Sequence, residues 1–270
     1  MEAARSGGPR GLRFLGEVVD ALVPRYRGLR AQERTAREEW RTSSEGSSEP
    51  APGDVSKPMT TDASRYDEAK NVLEKSEDAV ERSRAVEALT DAPLPLRDDV
   101  LLMALEDPAS IVVADALMWV VECAGRGLSE EAADQIRALC ASDDSLSQYY
   151  AVWAAGRIGL PDVEPIFAEL SAGASADDVA LHVVIAEARF ALTREARYAD
   201  EVFSWLDAPG VYPDDLCFIG NSVLGLVIAD RSLAARARDE LLRRMPTVTT
   251  PFVVEAWSNV LEDIAYWSKP

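Results

Sequence analysis

The 270-residue chain has little that would support metal, redox or covalent chemistry. It contains one histidine, His182, which excludes multi-histidine metal sites. Its three cysteines, Cys123, Cys140 and Cys217, lie far apart with no CxxC spacing. Each stands among apolar neighbours and reads as a buried free thiol in a reducing compartment, not as a zinc ligand or half of a disulfide. No Gly-rich phosphate loop is present; Gly220 and Gly225 fall inside helix-like stretches, where small residues serve close packing. Long apolar runs are missing too. Residues 111–124 and 217–229 are interrupted by Asp115, Glu122 and Asn221, and are too short or too polar to span a bilayer. Residues 1–10 lead into no uninterrupted apolar segment of the secretory kind. These absences point to a cytoplasmic protein, with no catalytic residue, metal or cofactor to assign.

Basic residues are scarce as well. The 28 Lys and Arg face 47 Asp and Glu, a formal net charge of −19. Nucleic acid and anionic membranes carry the same sign and would be repelled, whereas a basic protein would be drawn in. Solubility alone also accounts for such a balance. The charge is unevenly spread: residues 1–58 hold 10 basic and 9 acidic groups, leaving 18 basic and 38 acidic groups beyond them. Of the 17 residues at 42–58, 11 are Ser, Thr, Gly or Pro, a composition that cannot repay its ordering entropy and predicts a flexible linker. Upstream, Leu12, Leu15, Val19 and Leu22 fall at helical spacing, so residues 1–41 read as an arm with one short amphipathic helix. Met59 opens a stretch that looks like an ordinary protein start. Residues 1–58 are therefore read either as an upstream extension outside the native fold or as a tethered arm.

From residue 59 onward helix follows helix in a recurring unit. An acidic residue opens a helix, and seven positions later a mostly small residue stands on its inner face: Asp78/Ala85, Asp107/Ala114, Asp144/Ala151, Asp178/Ile185 and Asp215/Ser222. Three positions further come Ala88, Leu117, Ala154, Ala188 and Gly225. Small residues at a fixed register let neighbouring helices approach closely, as stacked repeats require. A second amphipathic helix follows in the later units, with apolar stripes such as Val163, Ile166, Phe167 and Leu170, or Ala199, Val202, Phe203 and Leu206. The joints carry helix-start chemistry in Asp107-Pro108, Ser129, residues 175–178 and Thr250-Pro251.

Residues 144–170 resemble the HEAT-repeat family, especially its short phycobilisome-lyase-like units. The run Ala-Val-Trp-Ala-Ala-Gly-Arg-Ile-Gly at 151–159 is similar to the family's first helix and its glycine stop. Val163, Pro165, Ile166 and Leu170 match the second helix, residues 107–125 are a looser copy, and the resemblance spans roughly residues 65–250. It implies an all-α fold, a right-handed α-solenoid of about five antiparallel helix pairs over residues 59–270. The helix at 251–267, with Val254, Trp257, Leu261 and Ile264 on one face, would cap the C-terminal end; Tyr66, Ala69 and Leu73 would seal the other.

The acidic pairs Glu106-Asp107, Glu130-Glu131, Asp143-Asp144, Asp177-Asp178 and Asp214-Asp215 all stand at expected helix starts, where capping and the helix dipole explain them. Glu130, Asp134, Glu164, Glu169, Glu195, Asp200 and Glu201 instead lie off the apolar stripes of second helices. The resemblance implies that second helices line the concave face, so these residues would form a negative groove for a basic partner, against the alternative of a merely solvated face. Tyr149 and Tyr150 are adjacent and cannot both point inward, which makes Tyr149 a candidate contact anchor. The expected function is a non-catalytic protein-binding module, of which an immunity-type inhibitor of a basic toxin is one instance. The alternatives are a lyase-like chromophore-handling protein, which needs a pocket with convergent polar groups, and a structural scaffold subunit.

Overall fold

In the computed structural model, secondary structure is described for residues 62–90 and 95–268, and side chains for residues 63–90 and 95–268. Contacts divide the chain into two units, residues 1–59 and 60–270, and the described residues all belong to the second. The expected amphipathic helix near residues 12–22 and the linker at 42–58 lie outside the described residues.

Twelve α-helices make up the described part: α1 (Asp62–Lys75), α2 (Ala79–Thr90), α3 (Asp98–Leu105), α4 (Ser110–Glu122), α5 (Glu130–Cys140), α6 (Ser145–Ile158), α7 (Glu164–Gly173), α8 (Val179–Thr193), α9 (Ala196–Trp205), α10 (Pro213–Ala229), α11 (Ala234–Arg244) and α12 (Pro251–Trp267). Among the described residues there is no strand, and no helix is long and apolar enough to cross a membrane. The even-numbered helices pack side by side in chain order, α2 on α4, then α6, α8, α10 and α12. The odd-numbered helices form a second row, tied to their even-numbered neighbours. The fold is an all-α solenoid.

Composition decides which helix goes into which row. In α8 the sequence VALHVVIAEARFALT has apolar residues all round, and none of residues 179–192 is fully exposed. By contrast α9 and α11 are amphipathic, burying Ala199, Val202 and Phe203 in one case and Ala234, Ala237 and Leu241 in the other. The repeat register holds from α4 onward: Ala114, Ala151, Ala154 and Ser222 are all wholly buried. It fails in α2, where Ala88 is exposed, because α4 is the only even-numbered helix against which α2 packs. At Gly156 the approach of α6 and α8 is so close that a Cβ would stand 2.5 Å from Cα of Ala188. Gly159 ends α6 in the left-handed conformation at φ 69°, the glycine stop expected there.

Most helix starts hold, some with shifts of register, whereas at Thr250-Pro251 the proline opens the helix without a side-chain cap from Thr250. Ser129 accepts from Ala132 N–H at 3.2 Å and Asp144 from Ser147 N–H at 2.8 Å. At Asp107-Pro108 the helix begins later than expected, at Ser110. Asp107 accepts from Ala109 N–H at 2.9 Å, a turn that precedes the helix, and also grips Arg82 at 2.6 Å. In residues 175–178 the cap is Asp178, not Ser175. Helix α12 does more than cap the end, since it continues the even-numbered row. Its buried face is Val253, Trp257, Val260 and Ile264, one position from the stripe expected at Val254 and Leu261, which are half-buried. Glu255, Ser258 and Glu262 are exposed. At the other end Tyr66 and Ala69 are buried as expected, with the Tyr66 hydroxyl donating to the Pro95 carbonyl.

Candidate functional site

The seven acidic residues named on second helices are all exposed on the odd-numbered row or at its joints, and most are already matched with an arginine of the same chain. Arg137 reaches Glu130 at 3.1 Å and Asp134 at 2.5 Å. Arg189 holds Glu164 at 2.8 Å, Arg197 holds Glu195 at 2.9 Å, and Arg236 holds Asp200 at 2.6 Å. Exposed pairs of this kind contribute at most about 1 kcal/mol of stability, but they lower the field that a partner would meet. Among the described residues, Glu169 and Glu201 have no such counter-ion. The joint between α9 and α11 is bridged in the same way, with Arg243 on Asp207 at 2.7 Å and Arg244 on Asp207 at 2.8 Å. Those cations hold the Asp207 carboxyl below its ordinary range, Arg243 having the larger effect through its hydrogen bond.

Tyr149 is not a free anchor. Its ring meets Tyr150 edge-on at 5.5 Å and Phe218 at 4.9 Å, and Tyr150 meets Trp153 at 6.1 Å. Neither tyrosine is fully exposed. The Phe218 contact carries geometric information, because Tyr149 is on α6 and Phe218 on α10, with α8 between them. The two rings therefore meet across α8 from the even-numbered row, whereas the acidic second-helix residues stand on the odd-numbered row or at its joints.

The joints are more informative. In each acidic doublet that precedes an even-numbered helix, the second residue is used locally. Asp78, Asp107, Asp144 and Asp178 accept backbone N–H groups at 2.8–3.3 Å, and Asp215 accepts from Tyr212 N–H at 3.3 Å. The first residue is not. Glu77, Glu106, Asp143 and Asp177 are exposed and Asp214 is half-exposed, and none has an ion-pair partner among the described residues. Even-numbered helices run in the same direction, each separated from the next by one return helix, so all five joints fall along one edge of the array. Neighbouring joints sense one another. The Asp215 carboxyl is pushed up first by burial and then by the charges of Asp214 and Asp178, with its bond from Tyr212 opposing. Arg82 feels both Asp78 and Asp107.

A buried polar cluster on the even-numbered row lies outside anything the repeat pattern predicts. Glu187 on α8 is 3% exposed and faces Arg157 of α6 at 3.5 Å. Arg157 also donates through Nη1 to the Gly225 carbonyl of α10 at 3.3 Å. A Cβ at Gly225 would occupy the space of the Glu187 carboxylate, so only glycine admits this approach. Burial raises the Glu187 pKa, opposed chiefly by the Arg157 charge. A carboxyl raised in the folded state stabilises most fully below its unfolded pKa of about 4.3, and that contribution fades as pH rises through the raised value. Glu187→Gln is thus expected to gain in melting temperature relative to the unmodified protein as pH rises from about 4 to 8. A difference that stays constant across that range would contradict the assignment. The signal in the sequence was Glu187 itself, an acidic residue in the middle of an apolar helix.

The histidine and the cysteines are accounted for by their surroundings. His182 Nε2 lies 3.0 Å from the Ser175 carbonyl, and its ring stacks on Trp205 at 5.7 Å. The cysteines are free and buried, which pushes the Cys140 and Cys217 thiols up to about 12. Among the described residues, no group of three or more His, Cys, Asp or Glu could hold a metal ion. A cleft of about 410 Å³ opens between the loops before α10 and α12, lined by Val211, Pro213, Leu216, Arg244, Val248 and Trp257 among others. Two of its polar side chains are engaged with backbone: Arg244 Nε donates to the Leu206 carbonyl at 2.7 Å, and Trp257 Nε1 to the Leu216 carbonyl at 2.8 Å.

No family model matches the chain, and no curated protein matches its sequence. Among solved structures it is similar to the complex of CpcE and CpcF of phycocyanin lyase from Nostoc sp. PCC7120. The identity is 13% and the TM-score 0.42, over 81% of this chain and 100% of that one. At that level the likeness transfers nothing of that complex's activity.

Proposed function

We propose that the protein is a non-catalytic binding module for a basic protein, and that it engages its partner along the edge formed by the joints. The observation that carries this reading is the repeated division of labour in the doublets: one carboxylate accepts a nearby backbone N–H while Glu77, Glu106, Asp143, Asp177 or Asp214 is left over. Local hydrogen bonding accounts for only one residue of each pair. Glu169 and Glu201 extend the unbalanced charge onto the odd-numbered row, whereas Glu130, Asp134, Glu164, Glu195 and Asp200 contribute less because their arginines screen them. A row of exposed like charges raises the encounter rate with an oppositely charged surface and makes binding sensitive to salt. Three free thiols suit a reducing, cytoplasmic setting. The lyase-like alternative draws little support from the cleft, where Arg244 Nε and Trp257 Nε1 are both turned to backbone carbonyls.

Affinity capture from native lysate with a salt-step elution tests the proposal. The expected result is a basic partner released as salt rises from about 0.1 to 0.5 M, where screening shortens below 10 Å. A partner held equally at both ends of that range would show that apolar contact carries the binding and would remove the charge mechanism.

A further inference from the structure

The hydrophobic interior is two clusters that meet within one helix. Leu181, Val184, Ile185 and Ala188 of α8 belong to the cluster built with α1–α7, whereas Val179, Val183, Ala186 and Phe190 belong to the cluster built with α9–α12. Each cluster closes on its own face of α8, so the two halves can tilt about this helix without opening either core. Such a tilt must break the links that pass over α8 from α6 to α10. The described residues show two: the Tyr149–Phe218 ring contact at 4.9 Å and the Arg157–Gly225 hydrogen bond at 3.3 Å. Arg157 also faces Glu187 on the bridged helix itself. A buried ion pair is a poor device for stability alone, since apolar residues of similar size do as well, and fixing one packing arrangement is its best-attested use.

We propose that α8 is the hinge of the array and that Arg157, anchored on Glu187 and reaching the Gly225 carbonyl, is the strap that couples the two halves. In a solenoid each unit packs chiefly on its neighbours, so a link that spans one layer adds coupling between the parts on either side of it. The strap therefore makes the array behave as one cooperative body, and its loss should divide that body at α8.

The test is hydrogen exchange of the full chain in rising urea, comparing amides of α4 and α5 with those of α10 and α12. In the unmodified protein the two sets should lose protection at the same urea concentration. In Arg157→Met/Glu187→Gln, which removes the strap and its charges together, the midpoints should separate by about 0.5 M or more. Arg157→Lys keeps a counter-charge for Glu187 while lacking the guanidinium fork, and should separate them less. Arg243→Met, which breaks only an exposed bridge, should leave them together. Coincident midpoints in the first two variants, separate midpoints in the unmodified protein, or separation by Arg243→Met would each overturn the proposal.

Discussion

Arg157→Met should cost the fold about 3–5 kcal/mol at neutral pH, far more than a single surface substitution. The methionine fills most of the space of the arginine stem, so lost packing is a small part of the effect. The main part is electrostatic: Glu187, 3% exposed, is left as a carboxylate with no counter-charge. Removing Arg157 withdraws the charge that opposes the upward shift of Glu187, which then takes up a proton at a still higher pH. The cost should consequently shrink as pH falls. For about 200 ordered residues, 3–5 kcal/mol corresponds to a drop of roughly 6–20 °C in Tm at pH 7. Adding Glu187→Gln should recover most of the loss. A single variant that melts within a degree or two of the unmodified protein at pH 7 would show that the pair is not enclosed.

Overpacking the interface between α6 and α8 should have a comparable effect by a different route. Ala154 is 0% exposed, and Gly156 stands against the backbone of Ala188. Ala154→Trp is expected to cost about 3 kcal/mol or more, because neither row can yield without parting from its next neighbour. Gly156→Ala adds a single methyl group, yet it meets Cα and Cβ of Ala188 at 2.5 Å, where no flexible side chain can swing aside. The two helices must separate, and thermal denaturation should register it as a loss of about 1–3 kcal/mol. Unchanged melting in both variants would contradict the repeat register.

Much of this architecture was legible in the sequence because packing in a repeat is local. Ala114, Ala151 and Ala154 mark the close approaches of the even-numbered row, and Gly159 marks the end of α6. The residues that departed from expectation did so for non-local reasons. Tyr149 finds its partner Phe218 69 positions away in the chain, across an intervening helix that no periodicity reveals. The face of α12 is rotated because it packs on α10 as a further member of the row, not as a lid. The acidic second-helix residues were visible as charges, but two of the arginines that hold them come from other helices: Arg189 reaches back to Glu164, and Arg236 to Asp200. Conversely, the doublets looked like capping alone, yet before α5 Ser129 is the cap and not Glu130 or Glu131, and in the joints before α2, α4, α6, α8 and α10 only one residue of each pair takes a backbone N–H. Only the parallel course of α2, α4, α6, α8 and α10 brings the other halves onto one edge.

The edge is the centre of the functional account, and it is tested most directly by the affinity of the captured partner for two neutralised variants. One carries Glu106→Gln, Asp143→Asn, Asp177→Asn and Asp214→Asn; the other carries Glu130→Gln, Asp134→Asn, Glu164→Gln and Asp200→Asn. Both lose four charges, so their net charge is equal. The account predicts that the first raises Kd by about tenfold or more and flattens its dependence on salt, while the second changes Kd by no more than about threefold. Equal weakening by both, or the larger effect from the second, would contradict it.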